Sequence, residues 1–248
     1  MELSGNTVLI TGGATGIGFA VADRLIKLGN TCIVCGRRLD RLEEARKRIP
    51  GLNIIQCDIS KEEQRNALFE WIDANFKEMN VLVNNAGIQR KINLAEGMAG
   101  IEKNEDEIEI NLRSQIYLAA RFIPMLRRRA KAAIINVSSG LGFVPMAAFP
   151  IYSATKAAIR SFTMSLRQQL KGTSISVFEV IPPTVHDTEL KGKPIPKSDY
   201  SISAAEMADA IIAGLRNDQY EIAAGASKGW ISASREELDR FFSGINDH

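Results

Sequence analysis

The chain of 248 residues is short of several things at once. Cysteine occurs three times, histidine twice and tryptophan twice, and aromatic residues make up 6% of the total. An odd and sparse cysteine count is not that of a secreted disulfide scaffold. Cys32 and Cys35 do spell C-x-x-C, but they lie in the β-rich run Thr31-Cys-Ile-Val-Cys, where positions i and i+3 face opposite sides of a strand. Buried structural cysteines are expected there, not a redox or zinc pair, and no metal site is expected elsewhere. Charge of one sign is lacking too. With 31 Lys+Arg against 29 Asp+Glu the net charge is +2, too small for the basic field of a nucleic-acid binder. The one dense basic run, Arg127-Arg128-Arg129 with Lys131, reads as the solvated last turn of a helix, where cations complement the dipole. No apolar stretch approaches the roughly 20 residues of a membrane span. Met1 to Asn6 hold no basic region, apolar run or cleavage site, so a cytoplasmic protein without membrane or nucleic-acid partners is expected.

What remains is an ordinary globular composition, 45% hydrophobic and 24% charged, at a length that suits one α/β domain covering 1–248. Short β-branched runs at 7–11, 31–35, 53–57, 81–84, 133–138, 174–181 and 220–224 alternate with amphipathic segments at 17–28, 41–49, 61–76, 105–129, 152–171 and 204–217. Such alternation predicts a Rossmann-type doubly wound fold, about seven parallel strands with helices on both faces. Ser60 with Glu63, Ser203 with Glu206 and Ser234 with Glu237 have the spacing of capping boxes. Two irregular stretches, 89–104 and 182–202, follow strand ends where binding loops belong. The second holds four of the eight prolines and marks a substrate loop at about 183–203.

The first strand runs through Thr11-Gly-Gly-Ala-Thr-Gly-Ile-Gly18 directly into a helix. Glycines permit a tight turn and close approach of backbone to a pyrophosphate, and helix N-terminal N–H groups favour an anion. Gly12 would make the turn, Gly16 the close approach and Gly18 the helix–sheet contact. No Gly-Lys-Ser/Thr follows, which excludes a Walker loop. The spacing is not literally G-x-G-x-x-G, and a glycine turn without ligand is the alternative reading.

Thr11-Gly12-x-x-x-Gly16-x-Gly18, Asn84-Asn85-Ala86-Gly87, Asn111, Ser139 and Tyr152-x-x-x-Lys156 together resemble the ordered signature of the short-chain dehydrogenase/reductase family, in its compact form of about 250 residues. The match spans nearly the whole chain. Within the family, Ser138-Ser-Gly-Leu-Gly-Phe143 and Pro182-Pro-Thr-Val185 resemble the DltE-type oxidoreductases. The resemblance implies a nicotinamide cofactor in contact with Thr15, Ile17, Ile59, Pro182 and Val185 besides the glycines. Asp58 would meet the adenine amino group, and Asn85, Ala86 and Gly87 would pack beside the adenine ribose. Asn111 would hold a water that links Lys156 to solvent. A homodimer or homotetramer is implied as well.

About 20 residues past the glycines an acid selects NAD and an arginine accommodates the 2′-phosphate of NADP. The chain reads Val34-Cys-Gly-Arg-Arg38: Gly36 takes the acid position, and Arg37 and Arg38 supply guanidinium forks. NADP(H) is the expected cofactor, NAD(H) the alternative, and solvated loop charges are the rival reading of the arginines. Asp40, close by, suits a helix N-cap. Tyr152 and Lys156, four apart on a helix, share one face. The ammonium and an oxidised nicotinamide would lower the phenol from its usual pKa of about 10 toward neutral pH. Ser139, thirteen residues before Tyr152, would hydrogen-bond a carbonyl oxygen as it gains charge. Ser138 is its rival.

The expected reaction is hydride transfer between NADP(H) and a carbonyl or secondary alcohol of small-molecule size, with Tyr152 as acid and base. A catalytically silent NADP-binding sensor or scaffold is the alternative. One departure from the family stands after the sixth strand, where Pro183 replaces the usual glycine and Thr188 comes one residue late. Proline loses both the N–H and the positive φ, which puts a Thr188 contact to the nicotinamide in doubt. His186 lies in this loop, but Tyr152 already fills the acid role. Lys191, Lys193 and Lys197 would either favour an acidic substrate or simply be solvated.

Overall fold

The computed structural model describes residues 1–101 and 106–246. In chain order, the elements are β1 (Thr7–Thr11), α1 (Gly16–Lys27), β2 (Thr31–Gly36), α2 (Leu39–Arg48), β3 (Asn53–Gln56), α3 (Glu62–Asn75) and β4 (Val81–Asn84). Then come α4 (Ser114–Leu126), β5 (Ala132–Val137), α5 (Pro150–Gln169), β6 (Ile175–Ile181), β7 (Thr184–Val185), β8 (Ser201–Ile202), α6 (Ala204–Arg216), β9 (Glu221–Ala223), α7 (Ser227–Trp230) and α8 (Arg235–Asn246). Seven strands form one parallel sheet in the order β3-β2-β1-β4-β5-β6-β9, and β7 pairs with β8 apart from it. The expected doubly wound architecture is found. Strand order reverses between β1 and β4, which opens a crevice at their carboxyl ends.

Strand alternation divides the core. Val8 and Ile10 of β1, with Phe178 of β6, face α1 and α6 through Val21, Leu25, Met207 and Ile211. Leu9, Ile134 and Val177 face α3, α4 and α5 through Leu68, Leu118, Phe122 and Leu166. Both faces of the sheet are covered, which is why these strands read as continuous apolar runs. Cys32 belongs to the first cluster and Cys35 to the second, so the C-x-x-C thiols lie on opposite faces. All three cysteines are free and buried, and Cys57 meets Cys35 across neighbouring strands.

Several boundaries differ from the sequence expectation. The segment anticipated as one helix over 105–129 contains a π-helical turn, Glu109–Arg113, before α4; residue 105 and the end of the 89–104 loop lie outside the described residues. Within that loop, Leu94–Gly100 forms a 3-10 turn. Arg127–Arg129 do close α4, and Arg128 and Arg129 meet Asp73 and Glu78. Ser203 and Glu206 make the expected capping box of α6, and Ser234 and Glu237 exchange the same pair of bonds before α8. Ser60 and Glu63 do not. The Ser60 N–H and hydroxyl both donate to Asp58 Oδ1, and α3 starts two residues after Ser60 with Lys61 as N-cap. An aspartate two residues back competes successfully for the cap serine. Asp40 likewise lies in the first turn of α2, where Arg38 is the N-cap.

Phe122 is completely buried between α4 and the sheet, with its ring centroid 5.2 Å from that of Phe69. Phe122→Ala should lower unfolding free energy by about 3 to 5 kcal/mol, read from the urea midpoint at unchanged m-value.

Candidate active site

The crevice widens into a cavity of about 1030 Å³ that runs from the glycine turn after β1 to the start of α5. Gly12 and Gly16 adopt φ of 64° and 57°, which favours glycine at both. A Cβ on Gly12 would stand 2.8 Å from the Ala86 Cα, so the β1 turn and the β4 loop touch backbone to backbone. Gly18 is not on the cavity wall. Its missing Cβ would lie 2.6 Å from Asn85 Nδ2, so the lack of a side chain serves packing of α1 against the β4 loop.

These residues fit a dinucleotide. Thr15, the N-cap of α1, makes no side-chain cap bond, and no acid lies in the first turn. Among the described residues, no protein acceptor meets the N–H groups of Gly16, Ile17 or Gly18. An uncapped helix N-terminus at a glycine turn is suited to an anion.

At one end the cavity is walled by Gly36, Arg37, Arg38, Arg41, Asp58 and Ile59. Gly36 leaves open space: an added Cβ would meet nothing nearer than Leu42 Cδ2 at 3.9 Å. Arg38 Nη2 is 2.7 Å from Glu189 Oε2, and Arg41 Nη2 is 3.3 Å from Glu189 Oε1. Arg41 and Glu189 were not among the residues singled out from sequence. Arg41 lies one helical turn beyond Arg38 in α2, a periodicity visible in sequence; Glu189 arrives from the far end of the chain, and no local pattern marks it. The middle of the cavity is bounded by Asn85, Ala86 and Gly87.

Ser139, Tyr152 and Lys156 converge at the other end. Tyr152 and Lys156 rise from the first turns of α5, both buried, with Lys156 Nζ 5.5 Å from the Tyr152 ring centre. Lys156 Nζ donates to the Val137 carbonyl at 2.8 Å. Ser139 and Ser138 separate cleanly. The Ser138 hydroxyl donates to Glu179 Oε1 at 2.6 Å, inside a buried group completed by Arg160 Nη1 at 3.1 Å from Glu179 Oε2. Ser139, on the opposite side of the chain, accepts from Leu141 N–H at 3.1 Å and faces the Tyr152 phenol, whose pKa it pulls down. Asn111 is fully buried in the π-helical turn and is not on the cavity wall. Its side chain accepts from Ile88 N–H and donates to the Ile88 carbonyl, each at 2.8 Å, and so clamps the β4 loop beside Gly87.

The expected lowering of the Tyr152 phenol is absent from the protein alone. Burial pushes it up to about 12, only partly offset by Ser139 and reinforced by the nearby Glu107 carboxylate. Burial likewise lowers Lys156 to about 8. Desolvation disfavours the charged form of each. Glu107, unnoticed in sequence, is buried and raised by desolvation; its Oε1 accepts from Arg90 N–H, while Oε2 has no hydrogen-bond partner among the described residues.

The segment after β6 closes the third side. Pro182 accepts from Gly140 N–H, and Pro182 and Val185 line the cavity. Thr188 lies against the glycine turn, its Cγ2 3.0 Å from where a Gly16 Cβ would be, and its hydroxyl donates to Val185. That position belongs to the middle of the cleft and not to its catalytic end. His186 is absent from the cavity wall; its backbone bonds Ile202 and Ile195, and its Nδ1 lies 3.3 Å from Ser201 Oγ. Lys191 and Lys193 reach the cavity and Lys197 does not. The Lys191 ammonium sits 4.7 Å from the Phe149 ring centre, one turn before Tyr152. It is exposed at the mouth, yet the surrounding protein lowers its pKa by desolvation. Trp230 of α7 and Phe241 of α8 complete the wall, a contribution of the last twenty residues that no motif announced.

A doubly wound sheet carrying a glycine turn and a Ser-Tyr-Lys group on one cavity defines an NAD(P)-dependent short-chain dehydrogenase/reductase. The sequence profile of the family described as short chain dehydrogenase matches residues 6–198, and the chain belongs to that family. It is 43% identical to the "Uncharacterized oxidoreductase DltE" of Bacillus subtilis, covering 99% of this chain and 98% of that one. It is 33% identical to the "NADP-dependent 3-hydroxy acid dehydrogenase YdfG" of Salmonella typhi over 73% of each chain. A crystal structure of a short-chain dehydrogenase from Burkholderia cenocepacia in complex with NADP superposes with a TM-score of 0.80 at 26% identity, covering 98% of this chain and 99% of that one.

The buried lysine makes stability depend on pH. Its amine is at about 8 when folded against an ordinary 10.5. Between those values the unfolded chain binds the proton and the folded chain does not, so stability rises with pH. Relative to Lys156→Met, the wild type should gain about 2 kcal/mol from about pH 8 to about pH 10, measured by urea unfolding. A flat difference would mean that Lys156 titrates normally in the fold.

Proposed function

We propose that the protein is an NADP(H)-dependent oxidoreductase that interconverts a carbonyl compound and its secondary alcohol, with Tyr152 as acid and base. The observation that carries this reading is that one cavity joins an uncapped helix N-terminus and an arginine-lined end to the Ser139, Tyr152 and Lys156 group. The glycine turn, with Thr15, Gly16 and Ile17, would hold the pyrophosphate. Arg37, Arg38 and Arg41 would receive the 2′-phosphate, with Asp58 and Ile59 at the adenine and Asn85, Ala86 and Gly87 beside the ribose. The NADP in the Burkholderia structure and in the name of the Salmonella relative supports this preference over NAD. The chain works as one domain with its substrate loop at about 183–203, in the cytoplasm, as a homodimer or homotetramer.

When bound, nicotinamide supplies a hydride to the carbonyl carbon or takes one from the alcohol carbon. Ser139 donates a hydrogen bond to the substrate oxygen as negative charge grows there. Tyr152 then passes its phenolic proton to that oxygen. A phenol held up to about 12 is fully protonated at neutral pH, the form that reduction needs. Lys156 stabilises the phenolate that results and replaces its proton. Asn111 acts by holding the Ile88 backbone, which fixes the floor beneath Gly87 and Lys156. Lys191 beside Phe149 favours a substrate that carries a carboxylate, in keeping with the 3-hydroxy acid in the Salmonella relative's name.

Tyr152→Phe should reduce carbonyl turnover with NADPH by at least about a thousandfold, while NADPH still raises the thermal midpoint of the variant as it does that of the wild type. Turnover near the wild-type level would refute the mechanism. NADPH stabilisation without turnover of any carbonyl compound by the wild type would instead favour a silent NADP-binding sensor. Ser139→Ala should lower kcat about a hundredfold, whereas Ser138→Ala should act on stability by removing the donor to the buried Glu179 Oε1.

A further inference from the structure

Glu189 makes a contact that neither the fold nor the proposed chemistry requires. It stands 151 residues from Arg38 in sequence, yet its carboxylate bridges two guanidinium groups, at 2.7 Å from Arg38 and 3.3 Å from Arg41. The residues on either side are anchored as well. Thr188 lies over the glycine turn at Gly16, and the Leu190 carbonyl accepts from Gln89 N–H at 3.1 Å. Three consecutive residues therefore cross the crevice between its two banks, and Glu189 is the part that lies on the arginines.

A carboxylate spanning two guanidinium forks has the charge sign of a phosphate monoester and accepts from the donors that such a group would meet there. We infer that Glu189 is an internal stand-in for the cofactor's 2′-phosphate, occupying Arg38 and Arg41 until that phosphate displaces it. The inference rests on the NADP(H) reading above. It makes Glu189 a specificity-determining residue that acts through competition. The 2′-phosphate carries more charge than the carboxylate and more acceptor oxygens, so it wins the arginines; an NADH ribose has no group to do so and leaves the pair closed. Displacing Glu189 also releases the strap 188–190, whose next residue, Lys191, stands at the substrate end. The opposite assignment is that Glu189 replaces the acid missing at Gly36 and bonds the ribose hydroxyls of NADH directly.

Equilibrium binding to the full chain separates the two without recourse to turnover. NADPH and NADH are titrated by nicotinamide fluorescence, and adenosine 2′,5′-bisphosphate and 5′-AMP by their displacement of NADPH. Because a competing ion pair with an exposed partner lowers apparent affinity only modestly, Glu189→Gln should tighten NADPH and the bisphosphate about fivefold and leave NADH and 5′-AMP within about twofold. In an Arg38→Gln background the gain should vanish. Unchanged or weaker NADPH binding in Glu189→Gln overturns the inference, as does an equal change for all four ligands, which would mark a role in loop packing alone. A loss confined to NADH and 5′-AMP overturns it in favour of the ribose assignment. If NADPH and the bisphosphate bind wild type no better than NADH and 5′-AMP, the NADP(H) reading fails first and this inference with it.

Discussion

The site depends on one knot of hydrogen bonds between the ends of β1 and β4. Thr11 Oγ1 accepts the N–H groups of Asn85 and Ala86, each at 3.0 Å, and Asn85 Nδ2 returns bonds to the carbonyls of Thr11 and Gly12. Strand order reverses at this point, so no third strand covers these polar ends. Left unpaired and partly buried, each group would cost about 1 to 3 kcal/mol. Side chains satisfy them locally, and the crevice stays open without exposing raw strand ends. The tightness of the knot is what confines Gly12 and Gly18 to glycine: the space a Cβ would need is already filled by Ala86 and Asn85.

A second polar system carries this rigidity into the sheet. Asn84 Nδ2 donates to Asn136 Oδ1 at 2.9 Å, and Asn136 Nδ2 to Thr163 Oγ1 at 3.0 Å, so β4, β5 and α5 are joined through buried amides. Asn111 ties the π-helical turn to Ile88 and to Thr155 of α5. Lys156 is then held by the Val137 carbonyl in a setting where burial lowers its pKa and raises that of Tyr152. The two groups reach similar charge costs by opposite routes: the lysine sheds a proton easily and the tyrosine keeps its own. Such a site is poised to change protonation state when charge arrives beside it, because the burial of both groups leaves the change weakly screened.

Much of the fold was legible because period and punctuation agree along the chain. Apolar runs in β1, β2 and β6 are β-branched and meet asparagine, glycine or proline at their ends, and the helices between them keep an apolar face for each side of the sheet. Where expectation failed, a local competitor was responsible. Asp58 took the serine meant to cap α3, and the long segment before β5 includes a π-helical turn from which Asn111 bonds Ile88. Spacing from Tyr152 favoured Ser139 with Ser138 as its rival; the buried Glu179, 41 residues beyond Ser138, claims that hydroxyl and leaves the other to the cavity. In the protein alone the tyrosine pKa moves up, because burial acts on it and that effect belongs to no local pattern.

Taken alone, the order of residues determined the alternation of elements, the glycine turn, the pairing of Tyr152 with Lys156 on one helix face and the basic pair that follows β2. Each depends on neighbours within a few residues, where backbone geometry dictates which groups meet. Tertiary structure decided everything that rests on distant chain segments meeting. It packed Gly18 against Asn85, tied Asn111 to Ile88, carried Thr188 to the glycine turn, brought Trp230 and Phe241 to the cavity wall and set Glu189 on the arginines. Desolvation belongs with these, since burial is a property of the whole packed sheet and not of any motif.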